Sequence, residues 1–214
     1  ALLLLLLALP LLAGRIQVAD DLGAYHLPAR TFYAECLARG QAFDWWPQLF
    51  GGTYLTGEGQ AGTYHPLHAL LYRWLPLSLA FGLEVWLCYP FLLLGTYLWL
   101  RSRLARRDLA AFGALSFTFC AFNLLHIVHV NAVAIVAHIP WLLWSIDRLL
   151  ERRGRWLAGV TPIATLTGSQ LLLGYPQYVW FSLLAQACYI IGRRAAPGGA
   201  VRIAVAGLIG LAIG

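Results

Sequence analysis

Charge is scarce in this chain. Only 11% of its 214 residues are Asp, Glu, Lys or Arg, whereas about a quarter of the residues in soluble globular proteins are charged. Hydrophobic residues make up 60% of the chain, and its mean hydropathy is +0.69. This balance excludes an ordinary soluble domain and predicts an all-α polytopic membrane protein, since helices satisfy their own backbone hydrogen bonds in lipid.

Cysteine is rare and methionine is absent. The four cysteines lie far apart, at Cys36, Cys88, Cys120 and Cys188. Three of them fall in apolar segments, so neither a disulfide framework nor a zinc site is predicted. The chain has no methionine and ends twelve residues after Arg202, whereas a spanning helix needs about 20. We therefore expect the N-terminal fragment of a longer protein, with 203–214 the start of a further helix.

The positive charge is confined to arginine and is clustered. All 15 basic residues are arginine, and 11 of them lie in 101–107, 148–155 and 193–202. Basic clusters between apolar segments indicate orientation in a membrane and not nucleic-acid binding. We therefore predict that all three clusters face the cytoplasm.

Two long uncharged stretches separate these clusters, with 38 residues between Asp108 and Asp147 and 37 between Arg155 and Arg193. Each is long enough for two tight crossings, and an even number keeps the arginines on one side. The prediction is a helical hairpin over 109–150 and another over 156–192. Their turns, near HIVHVN (126–131) and GYPQ (174–177), then lie outside the cytoplasm.

The rest of the chain completes a single transmembrane domain. Residues 1–13 predict a truncated first helix, and the apolar core of a signal peptide is the alternative. Residues 76–100 predict the second helix, whose only acid is Glu84. A carboxylate in lipid marks a functional site by default, unless Glu84 lies at the interface. Residues 14–75, called the polar loop below, are predicted to lie outside the cytoplasm.

The polar loop carries most of the polar chemistry. Gly14 to Trp74 holds five of the nine acids, eleven aromatic residues and eight glycines. Apolar residues at 27, 32, 33 and 37, followed by Gly40, predict a short amphipathic helix over Leu27–Arg39 on the membrane surface. Aromatic, amide and carboxylate groups together suit sugar binding. An interfacial aromatic belt is the alternative.

Asp20 and Asp21 are the candidate catalytic residues. Two adjacent acids raise each other's proton affinity, and a carboxylate near a low-dielectric boundary can act as a general base. The alternatives are solvated charges or a cap on the first helix. Carboxylates at a helix C-terminus oppose the helix dipole, so capping does not explain both.

The HIVHVN turn contributes His126 and His129. The two imidazoles are predicted to share a helix face, with Asn123 and Asn131 nearby. A metal site needs a third ligand, which this segment lacks. Hydrogen bonding to the backbone or to lipid headgroups is therefore favoured, with phosphate or metal binding as the alternatives, and a metal site is not assigned.

The order of several short motifs is characteristic. They are Asp21-Leu22, Gly40, Trp45-Trp46-Pro47, Gly51-Gly52-Thr53, Gln60, Tyr64-His65-Pro66, His129-Val130-Asn131, Ile139-Pro140-Trp141 and Gly174-Tyr175-Pro176-Gln177. This order resembles that of the bacterial YfhO-like membrane proteins, which are similar to the GT-C glycosyltransferases. The resemblance implies a GT-C-like helix bundle in the bacterial inner (cytoplasmic) membrane, with short helices in a large first extracytoplasmic loop.

The resemblance also implies an activity and its residues. The enzyme would transfer a sugar from a polyprenyl-phosphate carrier to an extracytoplasmic glycan, lipid or protein. Asp21 is favoured as the base, with Asp20 beside it. Several members of that superfamily also carry an acid in the second outer loop, but this chain has none between Asp108 and Asp147. That departure argues against metal binding, so no cofactor is assigned and a divalent cation stays an alternative. The predicted substrate-binding residues are Glu58, Gln60, Trp45, Trp46, Arg30, Arg73, His126, His129 and Gln177.

Two other functional classes stay open. A transporter or flippase for lipid-linked saccharides would use similar aromatic and arginine side chains, but predicts ionisable residues deep in several helices. A non-catalytic envelope assembly factor would tolerate neutral residues at both aspartates. Membrane lipids are expected partners in every case, and nucleic acids are not.

Overall fold

The structure, a computed structural model, describes residues 2–151 and 156–214. It is mostly helical. The helices are α1 (Leu2–Leu12), α2 (Leu27–Arg39), α3 (Pro66–Trp74), α4 (Leu77–Arg103), α5 (Arg107–Thr118), α6 (Ala121–Leu125), α7 (Val130–Glu151), α8 (Trp156–Leu172), α9 (Pro176–Gly192) and α10 (Pro197–Ile213). Three members of the predicted second arginine cluster, Arg152, Arg153 and Arg155, lie outside the described residues.

Within the described residues, three helical segments are long and apolar enough to cross a membrane. They are Leu77–Arg103, Val130–Glu151 and the helical run Arg107–Val128, which includes a 3₁₀ turn at His126–Val128. Helices α8 and α9 have 17 residues each, which is at the short end of the spanning range of about 17–25. The predicted all-α membrane protein is therefore confirmed in this coarse form.

The polar loop is folded. A π-helical turn (Leu22–His26) leads directly into α2, which has the bounds predicted from its apolar spacing and ends at Gly40 in a left-handed conformation (φ 65°). A short antiparallel ribbon follows, in which β1 (Trp45–Trp46) pairs with β2 (Thr53–Tyr54). A small core of Ala29, Trp46, Leu55 and Ala61 joins α2 to this ribbon.

The chain divides into two compact units. The first contains Ala1–Pro90, Ala121–Val133 and Leu173–Tyr175, and the second contains Phe91–Cys120, Ala134–Leu172 and Pro176–Gly214. In the first unit α1 packs on the beginning of α4, where the Trp86 indole N–H donates to the Leu4 carbonyl at 3.0 Å. The first unit thus unites the polar loop with the HIVHVN turn and with the Gly-Tyr part of GYPQ.

The second unit has an apolar core built by α7, α8 and α10. At the end of α7 the buried Asp147 carboxylate accepts hydrogen bonds from Arg103 Nε at 2.8 Å and from the Tyr189 hydroxyl at 2.7 Å. Arg193 Nε lies 3.2 Å from the same carboxylate. Members of the first and third arginine clusters, which were predicted to lie on one side of the membrane, therefore meet at one acid.

Candidate functional site

The turn Gly59–Gly62 of the polar loop is where three distant segments of the first unit meet. The Tyr175 backbone N–H donates to the Gly59 carbonyl. Asn131 Nδ2 donates to the Gln60 carbonyl at 3.4 Å. The loop, the HIVHVN turn and the Gly-Tyr turn were predicted to share one face, and these contacts bring them together.

The next two carbonyls of the turn, those of Ala61 and Gly62, accept hydrogen bonds from buried side chains. Arg30 Nη1 donates to the Ala61 carbonyl. His68 Nδ1 lies 2.7 Å from the Gly62 carbonyl oxygen, so Nδ1 carries the proton and donates. Four consecutive carbonyls of the turn are therefore acceptors for four different residues.

Glycine allows this close packing at two positions. A Cβ on Gly62 (φ +58°) would lie 2.6 Å from the Leu173 carbonyl oxygen. A Cβ on Gly174 (φ +81°) would lie 3.0 Å from the Gly59 carbonyl oxygen. Both residues also have the left-handed backbone that favours glycine, so the contact between these segments depends on the absence of side chains.

A buried ion pair lies beneath the turn. Arg30 Nε is 2.9 Å from Glu84 Oε2, and Arg30 Nη2 is 2.6 Å from Oε1, with side-chain exposures of 3% and 5%. The Tyr72 hydroxyl also donates to Glu84. Arg30 was predicted to bind a substrate anion at the surface; instead it neutralises Glu84 inside the protein, where an unpaired charge would be costly.

His68 completes this network as a neutral ring. Its Nε2 lies 3.4 Å from Glu84 Oε1, a distance at which a protonated ring would form an ion pair. Burial, however, lowers the pKa of His68 to about 4 against the pull of Glu84, and the Arg30 cation acts in the same direction as burial. At neutral pH the network therefore contains one cation and one anion.

Asp21 pairs with His129. Asp21 Oδ2 lies 3.1 Å from His129 Nε2, and the two side chains are 47% and 39% exposed. His129 Nδ1 is buried without a hydrogen-bond partner among the described residues. A neutral ring that donates from Nε2 to Asp21 has its lone pair on Nδ1, so Asp21 is the accessible base of the pair.

The two aspartates lie at the start of a helical segment and not at the end of the first helix. Helix α1 ends at Leu12, and Asp21 directly precedes the π-helical turn without capping it through its side chain. The predicted conflict with a helix C-terminus is therefore wrong, because a helix N-terminus favours a carboxylate. Asp20 is exposed and has a left-handed backbone (φ 50°).

Glu58 and Gln60 form a polar cluster on the exposed side of the turn. Glu58 accepts hydrogen bonds from the Tyr25 hydroxyl at 2.5 Å and from Gln60 Nε2 at 3.0 Å. The Gln60 carbonyl is held by Asn131, which is two residues from His129, and residues two apart have Cα atoms within about 7 Å. The segment His129–Asn131 thus contacts Asp21 through its first residue and the backbone of Gln60, beside Glu58, through its last.

The two adjacent tryptophans have different surroundings. Trp46 is buried and stacks on Phe32 with 5.4 Å between ring centroids. Trp45 is 54% exposed, and its ring lies over Gly52, where a Cβ would be 2.1 Å from the indole. Of the two predicted sugar-binding indoles, Trp45 is accessible and Trp46 belongs to the core of the loop.

The remaining predicted residues are dispersed. Arg73 is exposed, and its Nη1 donates to the Leu37 carbonyl at 2.7 Å. His126 stacks on Phe122 with centroids 4.0 Å apart and lies 5.5 Å from the His129 ring. Gln177 is exposed at the start of α9 in the second unit.

Among the described residues, no group of three or more His, Cys, Asp and Glu side chains could hold a metal ion.

Sequence reasoning missed Tyr25, which donates to Glu58 on the exposed side of the turn, and the buried residues His68 and Tyr72. The predicted apolar face of α2 contained 27, 32, 33 and 37, whereas its buried residues are Ala29, Arg30, Tyr33 and Cys36. Arg30 lies on the buried face because Glu84 compensates its charge. The available signal for this pair was Arg30, near the start of α2, and Glu84, the one acid of α4.

Comparison of the chain with protein-family models, with curated proteins and with solved structures finds no match. Any function therefore has to be argued from the residues and their arrangement.

Proposed function

We propose that the protein is a membrane glycosyltransferase that moves a sugar from a polyprenyl-phosphate carrier to an extracytoplasmic acceptor. The Asp21–His129 pair is the observation that carries this proposal. It joins a half-exposed carboxylate to an imidazole from a segment more than a hundred residues away in the sequence, at 3.1 Å. The motif order described above provides the substrate class.

In the proposed reaction, an acceptor hydroxyl attacks the anomeric carbon of the lipid-linked sugar. The new bond forms from the hydroxyl oxygen to that carbon, the bond from the carbon to the phosphate oxygen breaks, and the hydroxyl proton passes to Asp21. His129 donates from Nε2 to Asp21 and keeps the carboxylate oriented. Positioned general bases of this kind accelerate reactions about 10²- to 10⁴-fold.

The other residues have roles that follow from their exposure. Glu58 and Gln60 present a carboxylate and an amide to the solvent side, and Trp45 presents an accessible ring, which together suit a sugar. Arg73 and His126 are the candidate partners of the leaving lipid phosphate. Arg30 is buried and does not contact the substrate; it positions the turn by donating a hydrogen bond to the Ala61 carbonyl.

The test is sugar transfer by purified protein from a panel of radiolabelled polyprenyl-phosphate sugars. Asp21→Asn should reduce transfer at least about 100-fold, with normal expression and membrane insertion. Glu35→Gln is the matched control, since Glu35 is a 55% exposed carboxylate of α2. If Asp21→Asn and Asp20→Asn together retain wild-type transfer, the glycosyltransferase mechanism is wrong, and transport or an assembly role becomes the better interpretation.

A further inference from the structure

A mainly apolar groove in the second unit contains two arginines that the proposed reaction does not use. It has a volume of about 410 Å³ and lies between the end of α7, the end of α9 and the start of α10. Arg193 and Arg202 line it together with the aliphatic side chains of Leu149 and Leu150. Its size falls within the range of small-molecule sites, about 300–1,000 Å³.

Positive charge exceeds negative charge beside this groove. Asp147 accepts two bonds from Arg103 and one from the Tyr189 hydroxyl, whereas Arg193 contributes only Nε, at 3.2 Å. The two terminal nitrogens of Arg193 thus remain able to donate to a ligand. Arg202 forms no ion pair within the described part of the chain, so an anion in the groove would meet two guanidinium groups.

The start of α10 adds backbone donors to the same groove. Ala196 caps this 17-residue helix without a side-chain hydrogen bond, and Pro197 and Gly198 follow. A Cβ on Gly199 would lie 2.7 Å from Leu150, so the helix start packs closely on α7, whereas a Cβ on Gly198 would meet nothing within 4 Å. The partial positive charge of a helix N-terminus favours an anion beside Gly198.

We propose that this groove binds the phosphate group of an anionic membrane lipid. The two guanidinium groups and the helix N-terminus bind the phosphate, and Leu149 and Leu150 contact the apolar part of the lipid. Aliphatic walls favour a lipid over free phosphate, which has no apolar part. Basic pockets at the ends of membrane helices are the usual setting for such recognition.

Gly198 provides the sharpest test. Gly198→Asp introduces a carboxylate into open space at a helix N-terminus, where acids stabilise the helix, so the fold should be retained. The matched control is Gly198→Asn, which has the same shape without the charge. Binding to purified full-length chain in neutral detergent would be measured by native mass spectrometry with phosphatidylglycerol, and with phosphatidylcholine as the neutral comparison.

Phosphatidylglycerol should bind the wild-type chain and Gly198→Asn with similar affinity, and bind Gly198→Asp about tenfold more weakly or worse. Arg193→Gln with Arg202→Gln should weaken binding similarly, whereas Arg106→Gln with Arg107→Gln, which remove equal charge outside the groove, should not. Equal binding by Gly198→Asp and Gly198→Asn would overturn the proposal. Competition by glycerol phosphate or inorganic phosphate at the concentration of the lipid would also overturn it, because the ligand would then be a soluble phosphate.

Discussion

Removing the negative charge of Glu84 should strongly destabilise the first unit. Glu84→Gln retains the size of the side chain but leaves the Arg30 guanidinium, only 3% exposed, without a counter-ion. The hydrogen bond from Tyr72 is also weakened, since a carboxylate accepts more strongly than an amide. Nothing else in this network can replace the lost negative charge, because an imidazole is neutral or cationic and burial raises the pKa of the Tyr72 hydroxyl, which therefore stays neutral.

The burial of the Arg30–Glu84 pair determines how much free energy of unfolding Glu84→Gln should lose. Breaking a buried ion pair by removing one partner costs about 3–5 kcal/mol, whereas an exposed pair contributes about 0–1 kcal/mol. Arg30 and Glu84 belong to the first class, with two short contacts and almost no exposure. The double variant Arg30→Gln with Glu84→Gln has no uncompensated charge and should therefore be more stable than Glu84→Gln alone by about 1–2 kcal/mol.

Reversible unfolding in mixed micelles, followed by circular dichroism during titration with sodium dodecyl sulfate, would measure these differences. Glu35→Gln is again the matched control, since Glu35 pairs with Arg39 at 3.5 Å on the exposed face of α2. It should change the free energy of unfolding by no more than about 0.5 kcal/mol. If Glu84→Gln costs as little as Glu35→Gln, the pair is solvated and the arrangement of the inner site argued above is wrong.

Two further predictions concern pH and topology. Burial lowers the pKa of His26 and of His68 to about 4, below the value in an unfolded chain. The free energy of unfolding should therefore be highest above pH 6.5 and should decrease towards pH 4, by up to about 3 kcal/mol for each ring. In the same unfolding assay the His68→Asn variant should show a smaller decrease. An unchanged pH profile would contradict the burial of His68 as a neutral ring. In a chain with its native cysteines replaced, an impermeant thiol reagent applied to intact cells should label Thr56→Cys but not Ser102→Cys; the reverse labelling would invert the predicted orientation.

Much of the helical framework follows from simple patterns. The charge-free stretch after Asp108 predicts helix, and α5 to α7 occupy it. Apolar spacing and a terminal Gly40 predict α2 with its observed bounds, because a left-handed glycine is the usual helix terminator. Charge spacing also predicts that the HIVHVN and Gly-Tyr turns lie on one side, and Asn131 and Tyr175 both contact the polar loop.

The parts that sequence could not supply depend on tertiary partners. Arg30 looks like a surface cation until Glu84, 54 residues later, is known to lie against it. Trp45 and Trp46 are chemically identical neighbours, and only their alternation in a short strand makes one accessible and the other buried. A cap on the end of α1 was one alternative for Asp20 and Asp21, and only the structure shows that α1 ends at Leu12 and that Asp21 precedes a π-helical turn.

The use of main-chain carbonyls at Gly59–Gly62 has an evolutionary consequence. The partners of this turn bind atoms that every amino acid has, so replacing Gln60 or Ala61 does not by itself remove a hydrogen bond that these carbonyls accept. The glycines at 62 and 174 are restricted by the space that a Cβ would need, and Gly59 is restricted by its left-handed backbone (φ 79°). If the protein has the proposed function, related chains could exchange the side chains that face the sugar and acquire new specificities, while the turn continues to dock in the same way.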